Sequence, residues 1–160
     1  MNLYLLRHGE AEVRAASDSL RQLTPRGIED VHMVARQFAT KGVVLERCFV
    51  SPYLRAQQTA NEFLRELHQE PLREECKLLS PEVGAVDVMA FLQNLQESHI
   101  LLVGHNPLLS ELASLLTEGR IGELHILGTA ELVCIALDIV GLGMGVTPYR
   151  LLPSDAAWHD

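Results

Sequence analysis

Asn2-Leu3-Tyr4-Leu5-Leu6-Arg7-His8-Gly9 stands at the start of the chain, and its reading decides the fold. Residues 2–6 have the length and the Leu- and Tyr-rich composition of a buried strand. That strand delivers an arginine, an imidazole and a glycine at its carboxyl end, which in open α/β sheets is where ligands bind. A cation beside a histidine, with a glycine admitting close backbone approach, suits a phosphoryl group better than most other ligands. Three common residues gain force only from what the rest of the chain brings to the same place.

With 160 residues, the chain is one domain's worth and long enough for a layered core. Its apolar fraction of 48% argues for a compact globule rather than a disordered chain. A net charge of -8 argues against a nucleic-acid or anionic-membrane binder, because those present a basic face. Cys48, Cys76 and Cys134 are odd in number, widely spaced and without a C-x-x-C pair, so they read as reduced thiols, two of them in the core. The N-terminal apolar stretch is too short for a signal peptide, and the tract 132–146 contains Asp138 and three glycines, which rules out a span. The expectation is a soluble cytoplasmic protein, read as a monomer.

Four pairs, Thr24-Pro25, Ser51-Pro52, Ser80-Pro81 and Asn106-Pro107, combine an N-cap residue with proline and predict helix starts. Helical spacing follows each: Ile28, Val31, Val34, Ala35 and Phe38, ending near Gly42; then Leu54, Ala60, Phe63, Leu64 and Leu67. Met89, Leu92 and Leu95 give a shorter helix, and Leu108, Leu109, Leu112, Leu115 and Leu116 another, closed by Gly119. Strand-like runs occupy residues 47–50, 99–103 and 132–139, and residues 146–152 can return beside the last. Gly141, Gly143 and Gly145 then form a hairpin turn; as a nucleotide loop they should open a helix, and none follows. Strands alternating with helices predict a three-layer α/β/α sandwich with a mostly parallel sheet, in one domain over residues 1–153. Residues 10–23 form a long polar loop, and residues 154–160 a loosely held tail.

In such a sheet three strand-to-helix junctions share one edge. The first carries Arg7 and His8, the second leads into a helix bearing Arg55, and the third carries Gly104-His105-Asn106-Pro107. Arg55 lies in the first turn of its helix, where side chains lean back toward the helix start. Two arginines, two histidines and helix N-termini then surround one point, a constellation suited to a tetrahedral oxyanion. Arginine supplies fixed donors, one histidine can be a nucleophile, and the other can donate to a phosphoryl oxygen. No cofactor or metal is expected: H-x-x-x-H and H-E-x-x-H spacings are absent, and flanking arginines repel a cation. His32, His68, His125 and His159 read as ordinary polar residues, and Arg26, Arg36 and Arg65 as solvated helix-face charges.

Four blocks in order, Leu6-Arg7-His8-Gly9-Glu10-Ala11, Leu23-Thr24-Pro25-Arg26-Gly27, Ser51-Pro52-Tyr53-Leu54-Arg55-Ala56-Gln57-Gln58-Thr59-Ala60 and Val103-Gly104-His105-Asn106-Pro107, resemble the histidine phosphatase superfamily, with its phosphoglycerate-mutase-like fold. The resemblance implies His8 as a phosphorylated nucleophile and Arg7, Arg55 and His105 as the rest of the phosphate pocket. Within that superfamily the chain is most similar to the small SixA-type phosphohistidine phosphatases. The pointers are its short length, the run Ser17-Asp18-Ser19-Leu20-Arg21-Gln22-Leu23-Thr24 and the block Gly128-Thr129-Ala130. Arg21 matches a position typical of that group and adds a third cation if the 10–23 loop folds inward.

Little sequence is left between Gln57 and Gly104 for a lid, so the pocket is expected to be open to a phosphoryl group presented on a protein. Family members that act on phosphate esters carry a carboxylate before the second histidine's strand. Glu82, followed by Asp87, is the nearest candidate here, although Ser80-Pro81-Glu82 also reads as a plain helix start. Imidazole, with a pKa near ~6.5, leaves phosphorus more readily than an alkoxide, so a dedicated acid is dispensable for phosphohistidine. The leading expectation is a metal-independent phosphohistidine phosphatase acting on phosphorelay or phosphotransfer proteins. The alternatives are a phosphatase of small phosphate esters using Glu82 as general acid, and a non-catalytic phosphoprotein-binding module, which would have no need of a nucleophile.

Overall fold

A computed structural model describes residues 1–122 and 126–153. His125, His159 and the tail 154–160 lie outside the described residues. The element order is β1 (Asn2–Arg7), α1 (Pro25–Ala39), β2 (Arg47–Val50), α2 (Leu54–Leu67), β3 (Leu72–Glu75), α3 (Ala85–Leu92), β4 (His99–Gly104), α4 (Leu108–Glu118), β5 (Leu132–Leu137) and β6 (Gly145–Leu151). Short 3-10 turns occupy Asp18–Leu20 and Lys77–Leu79.

The six strands form one sheet in the order β3-β2-β4-β1-β5-β6. The first four are mutually parallel, and β5 and β6 run antiparallel to their neighbours, so the sheet is mixed. Alternation along β1 sets the layers. Leu3 and Leu5 pack with Ile100, Leu102, Val133 and Ile135 against α3 and α4. Tyr4 and Leu6 face the other way with Cys48, Val50, Leu101 and Val103, against Val31, Val34 and Phe38 of α1 and Ala60 and Phe63 of α2. The expected three-layer sandwich is present, and the expected hairpin joins β5 to β6, with Gly143 at φ +69°. All three cysteines are free and buried.

β3 is absent from the sequence reading. Its residues, Leu-Arg-Glu-Glu, lie at the sheet edge and are mostly exposed, so no apolar pattern marks them. Three of the four predicted helix starts also shift. Thr24 does cap α1, accepting the Gly27 N–H at 3.0 Å. However, α2 begins after Tyr53, α3 after Gly84 and α4 after Pro107, with no side-chain cap at any of the three. Ser51 and Asn106 are therefore released from capping and engage tertiary partners.

No helix among the described residues is long and apolar enough to cross a membrane. Arg26, Arg36 and Arg65 are exposed helix-face charges paired with neighbouring carboxylates.

Candidate active site

The parallel strands β1, β2 and β4 end together: Arg7 lies opposite Gly104, and Val50 opposite Val103. His8, Ser51 and His105 therefore leave the sheet side by side. His8 is 8% exposed and His105 is 1% exposed, with ring centroids 5.1 Å apart.

His8 is held in one tautomer. Its Nδ1–H donates to the Gly9 carbonyl at 2.7 Å, which leaves the lone pair on Nε2. Nε2 in turn accepts from Arg55 Nε at 3.3 Å. Burial, reinforced by the charges of Arg55, Arg7 and Arg21, pushes the His8 pKa down to about 4 against the pull of the Gly9 hydrogen bond. The shift favours the neutral imidazole at physiological pH, with the lone pair on Nε2.

Arg55 is almost fully buried in the first turn of α2. Besides His8, its guanidinium donates Nη1–H to the Asp18 carbonyl at 2.7 Å and pairs through Nη2 with the Asp18 carboxylate at 3.3 Å. Thr59, one turn along, donates to the Arg55 carbonyl at 2.7 Å and accepts the Gly9 N–H at 3.0 Å, which ties α2 to the end of β1. Arg7 donates Nη1–H to the Leu127 carbonyl at 2.8 Å, while its Nε is buried without a hydrogen-bond partner among the described residues.

His105 forms a 2.7 Å hydrogen bond between Nε2 and Ser51 Oγ, and its Nδ1 is likewise without a partner. Ser51 Oγ also accepts the Tyr53 N–H at 3.2 Å, and the Tyr53 ring stands edge-on to His105 at 5.1 Å. Burial, followed by the neighbouring His8 and Arg55, pushes the His105 pKa down to about 3.

The 10–23 loop folds inward. Arg21 Nε meets Asp18 Oδ1 at 2.9 Å, and Asp18 thereby bridges Arg21 and Arg55. Desolvation pushes the Asp18 carboxyl upward, but the two arginines outweigh it and hold the group below its ordinary range. Nothing in the sequence run 17–24 marks Asp18 as a site residue; only the fold of the loop puts it there. Glu82, by contrast, is exposed on the turn before α3, and no hydrogen bond or ion pair joins it to Arg7, His8, Arg55 or His105. Asp87 lies in the first turn of α3 and is also exposed.

Arg7 Nε and His105 Nδ1, both buried and unpartnered among the described residues, lie with the His8 imidazole and the Arg55 guanidinium in an arrangement suited to a tetrahedral oxyanion. A family model described as histidine phosphatase superfamily (branch 1) matches residues 3–87, more than half of the chain. The chain belongs to the histidine phosphatase superfamily. The phosphohistidine phosphatase SixA of Escherichia coli strain K12 is 34% identical over 148 residues, covering 89% of each chain. A SixA homologue of Haemophilus influenzae is 34% identical over 124 residues, covering 71% of this chain and 76% of the relative. A solved structure of the protein histidine phosphatase SixA complexed with tungstate superposes with a TM-score of 0.88 at 31% identity, covering 97% of this chain and 99% of that one. The mixed sheet, with β5 and β6 antiparallel beside the parallel block, is thus the arrangement this superfamily member shares with SixA.

Proposed function

We propose that this protein is a phosphohistidine phosphatase that removes phosphate from histidine-phosphorylated phosphotransfer or carrier proteins. The observation that carries the reading is the His8 tautomer: Nδ1–H is spent on Gly9, and the unprotonated Nε2 accepts from Arg55 in a ring that stands beside His105. In the first step the Nε2 lone pair attacks phosphorus, a P–N bond forms at His8, and the P–N bond to the substrate ring breaks. The departing imidazole keeps the bonding pair and takes a proton from solvent. In the second step water attacks phospho-His8, inorganic phosphate leaves, and the proton released by water passes to solvent.

Arg7 and Arg55 hold the non-bridging oxygens as permanent cations, and Arg21 adds positive potential at the mouth. His105, neutral through burial, helps only as a hydrogen-bond donor. With the Ser51 hydroxyl proton given to Nε2, its own proton lies on Nδ1, the unpartnered nitrogen. None of these steps uses a metal ion. The two E. coli and H. influenzae relatives described above carry the phosphohistidine phosphatase name, and tungstate in the SixA structure is a tetrahedral oxyanion like phosphate.

The segment between α2 and β4 is consumed by β3, a 3-10 turn and α3, with none left over for a cap. With no cap supplied by this segment, the reading favours a phosphoryl group carried on a protein over a small metabolite. The protein is read as acting in the cytoplasm, where its free thiols stay reduced.

The test is loss of phosphate from a histidine-phosphorylated carrier protein in the presence of chelator. Release by wild-type protein and none by His8→Ala supports the reading. A protein that leaves such carriers untouched while cleaving sugar phosphates overturns it, and makes the ester alternative with Glu82 the working one.

A further inference from the structure

The Arg7 guanidinium is aimed by a carbonyl in a segment that belongs to no helix or strand, and that segment is held with unusual completeness. Leu127 is fully buried, and its carbonyl accepts both Arg7 Nη1 at 2.8 Å and Asn106 Nδ2 at 2.7 Å. Its N–H donates to Ser110 Oγ of α4 at 3.0 Å, and the Ser110 hydroxyl donates to Asn106 Oδ1 at 2.7 Å, closing a ring. On the other side, the Gly128 N–H donates to Glu131 Oε2 at 2.7 Å, and Arg150 of β6 donates to Glu131 Oε1 at 2.6 Å and to the Ile126 carbonyl at 3.2 Å. Four consecutive backbone groups, the Ile126 C=O, Leu127 N–H, Leu127 C=O and Gly128 N–H, are each met by a side chain.

Glu131 is the centre of this clamp and is only 3% exposed. Its backbone carbonyl also accepts the Arg7 N–H at 3.1 Å, and the adjacent Ala130 N–H donates to the His8 carbonyl at 3.1 Å. The ion pair with Arg150 offsets the cost of burying this carboxylate, yet a negative charge close to an anion pocket works against anion binding by simple electrostatics. Its presence is accounted for if the geometry it imposes matters more than the charge it adds.

We propose that Glu131 and Ser110 are positioning residues for the phosphate pocket, which touch no substrate and act by fixing the Leu127 carbonyl that aims Arg7. This rests on the reading of Arg7 as a phosphate-binding cation. Two elements remote in sequence, α4 and β6, thereby set one donor of the pocket.

The test is calorimetric titration of inorganic phosphate into wild-type protein, E131Q, S110A and R7M, and into the doubles R7M/E131Q and R7M/S110A. E131Q and S110A are each expected to weaken phosphate binding by about tenfold, the scale of one hydrogen bond to a charged group, with no further loss in the R7M background. A purely electrostatic Glu131 would give tighter binding in E131Q. Singles that bind as well as wild type or better, or losses that add fully to that of R7M, overturn the inference. If E131Q does not fold, S110A decides alone. An R7M protein that binds phosphate normally overturns instead the reading of the pocket itself, so the two failures are distinguishable.

Discussion

His8 donates Nδ1–H to the carbonyl of its own neighbour, Gly9, at 2.7 Å, and this bond decides which nitrogen can attack. Nε2 accepts from Arg55, which is compatible only with an unprotonated nitrogen there. Nitrogen-15 spectra of the imidazole at pH 7 are expected to show a protonated Nδ1 and a bare Nε2. Burial, with the nearby arginines, holds the ring pKa at about 4, so this pattern should persist through pH 5. A ring titrating near its ordinary value of about 6.5 would contradict the assignment.

Stability should depend on pH through the same rings. His8 and His105 have folded pKa values of about 4 and about 3, both below the value for an unfolded chain. Between these values and the unfolded pKa, the unfolded state binds more protons than the folded state. Stability is therefore fully present above the unfolded pKa and is lost as pH falls toward the folded values, by on the order of a few kcal/mol. Urea unfolding at pH 7.5 and pH 5 should give a lower midpoint at pH 5, and paired His8→Asn and His105→Asn substitutions should flatten the difference. Coincident curves for the wild-type protein would sink the prediction.

Asp18 bridges Arg21 and Arg55 at the edge of the pocket. Its side chain is 60% exposed and lies against Arg21 Nε and Arg55 Nη2. Asp18→Asn keeps an acceptor and removes a negative charge that an incoming phosphoryl group must face. Phosphate should bind several-fold more tightly, roughly the effect of one partly screened charge. Weaker binding would mean instead that the carboxylate is needed to orient Arg55.

Gly27 lets α1 lie against the end of β1. A Cβ there would stand 2.2 Å from the Glu10 carbonyl oxygen and 2.9 Å from the Glu10 nitrogen, both backbone atoms. Backbone cannot step aside as a flexible side chain does. Gly27→Ala should destabilise the protein by about 2 kcal/mol or more, measured as a lower unfolding midpoint. A neutral substitution would show that α1 and the 9–10 backbone can part freely.

Much of the site is legible in the sequence because its residues follow buried apolar runs. His8, Ser51 and His105 each come directly after a strand whose hydrophobicity is plain, so their junctions fall on one edge without knowledge of any contact. β3 is illegible for the opposite reason: Leu72 is exposed, and the strand lies at the edge with nothing to bury. The Ser51-Pro52 pair misleads because a serine hydroxyl before proline serves equally as a helix cap or a tertiary partner, and here His105 claims it. Asp18 and Glu131 depend on long-range closure. Asp18 needs the 10–23 loop to fold back onto α2, and Glu131 needs the β5–β6 hairpin to bring Arg150 alongside. No local pattern encodes either event.

The central claim is a covalent phosphoryl group on His8. Brief mixing with a histidine-phosphorylated carrier labelled in its phosphate, followed by an alkaline quench and peptide mapping, should recover acid-labile phosphate on the peptide containing His8. Phosphorus-31 spectra should place the phosphate on Nε2, and His8→Ala should carry none. Turnover of the carrier at the wild-type rate by His8→Ala, or label found only on another residue, would contradict the account.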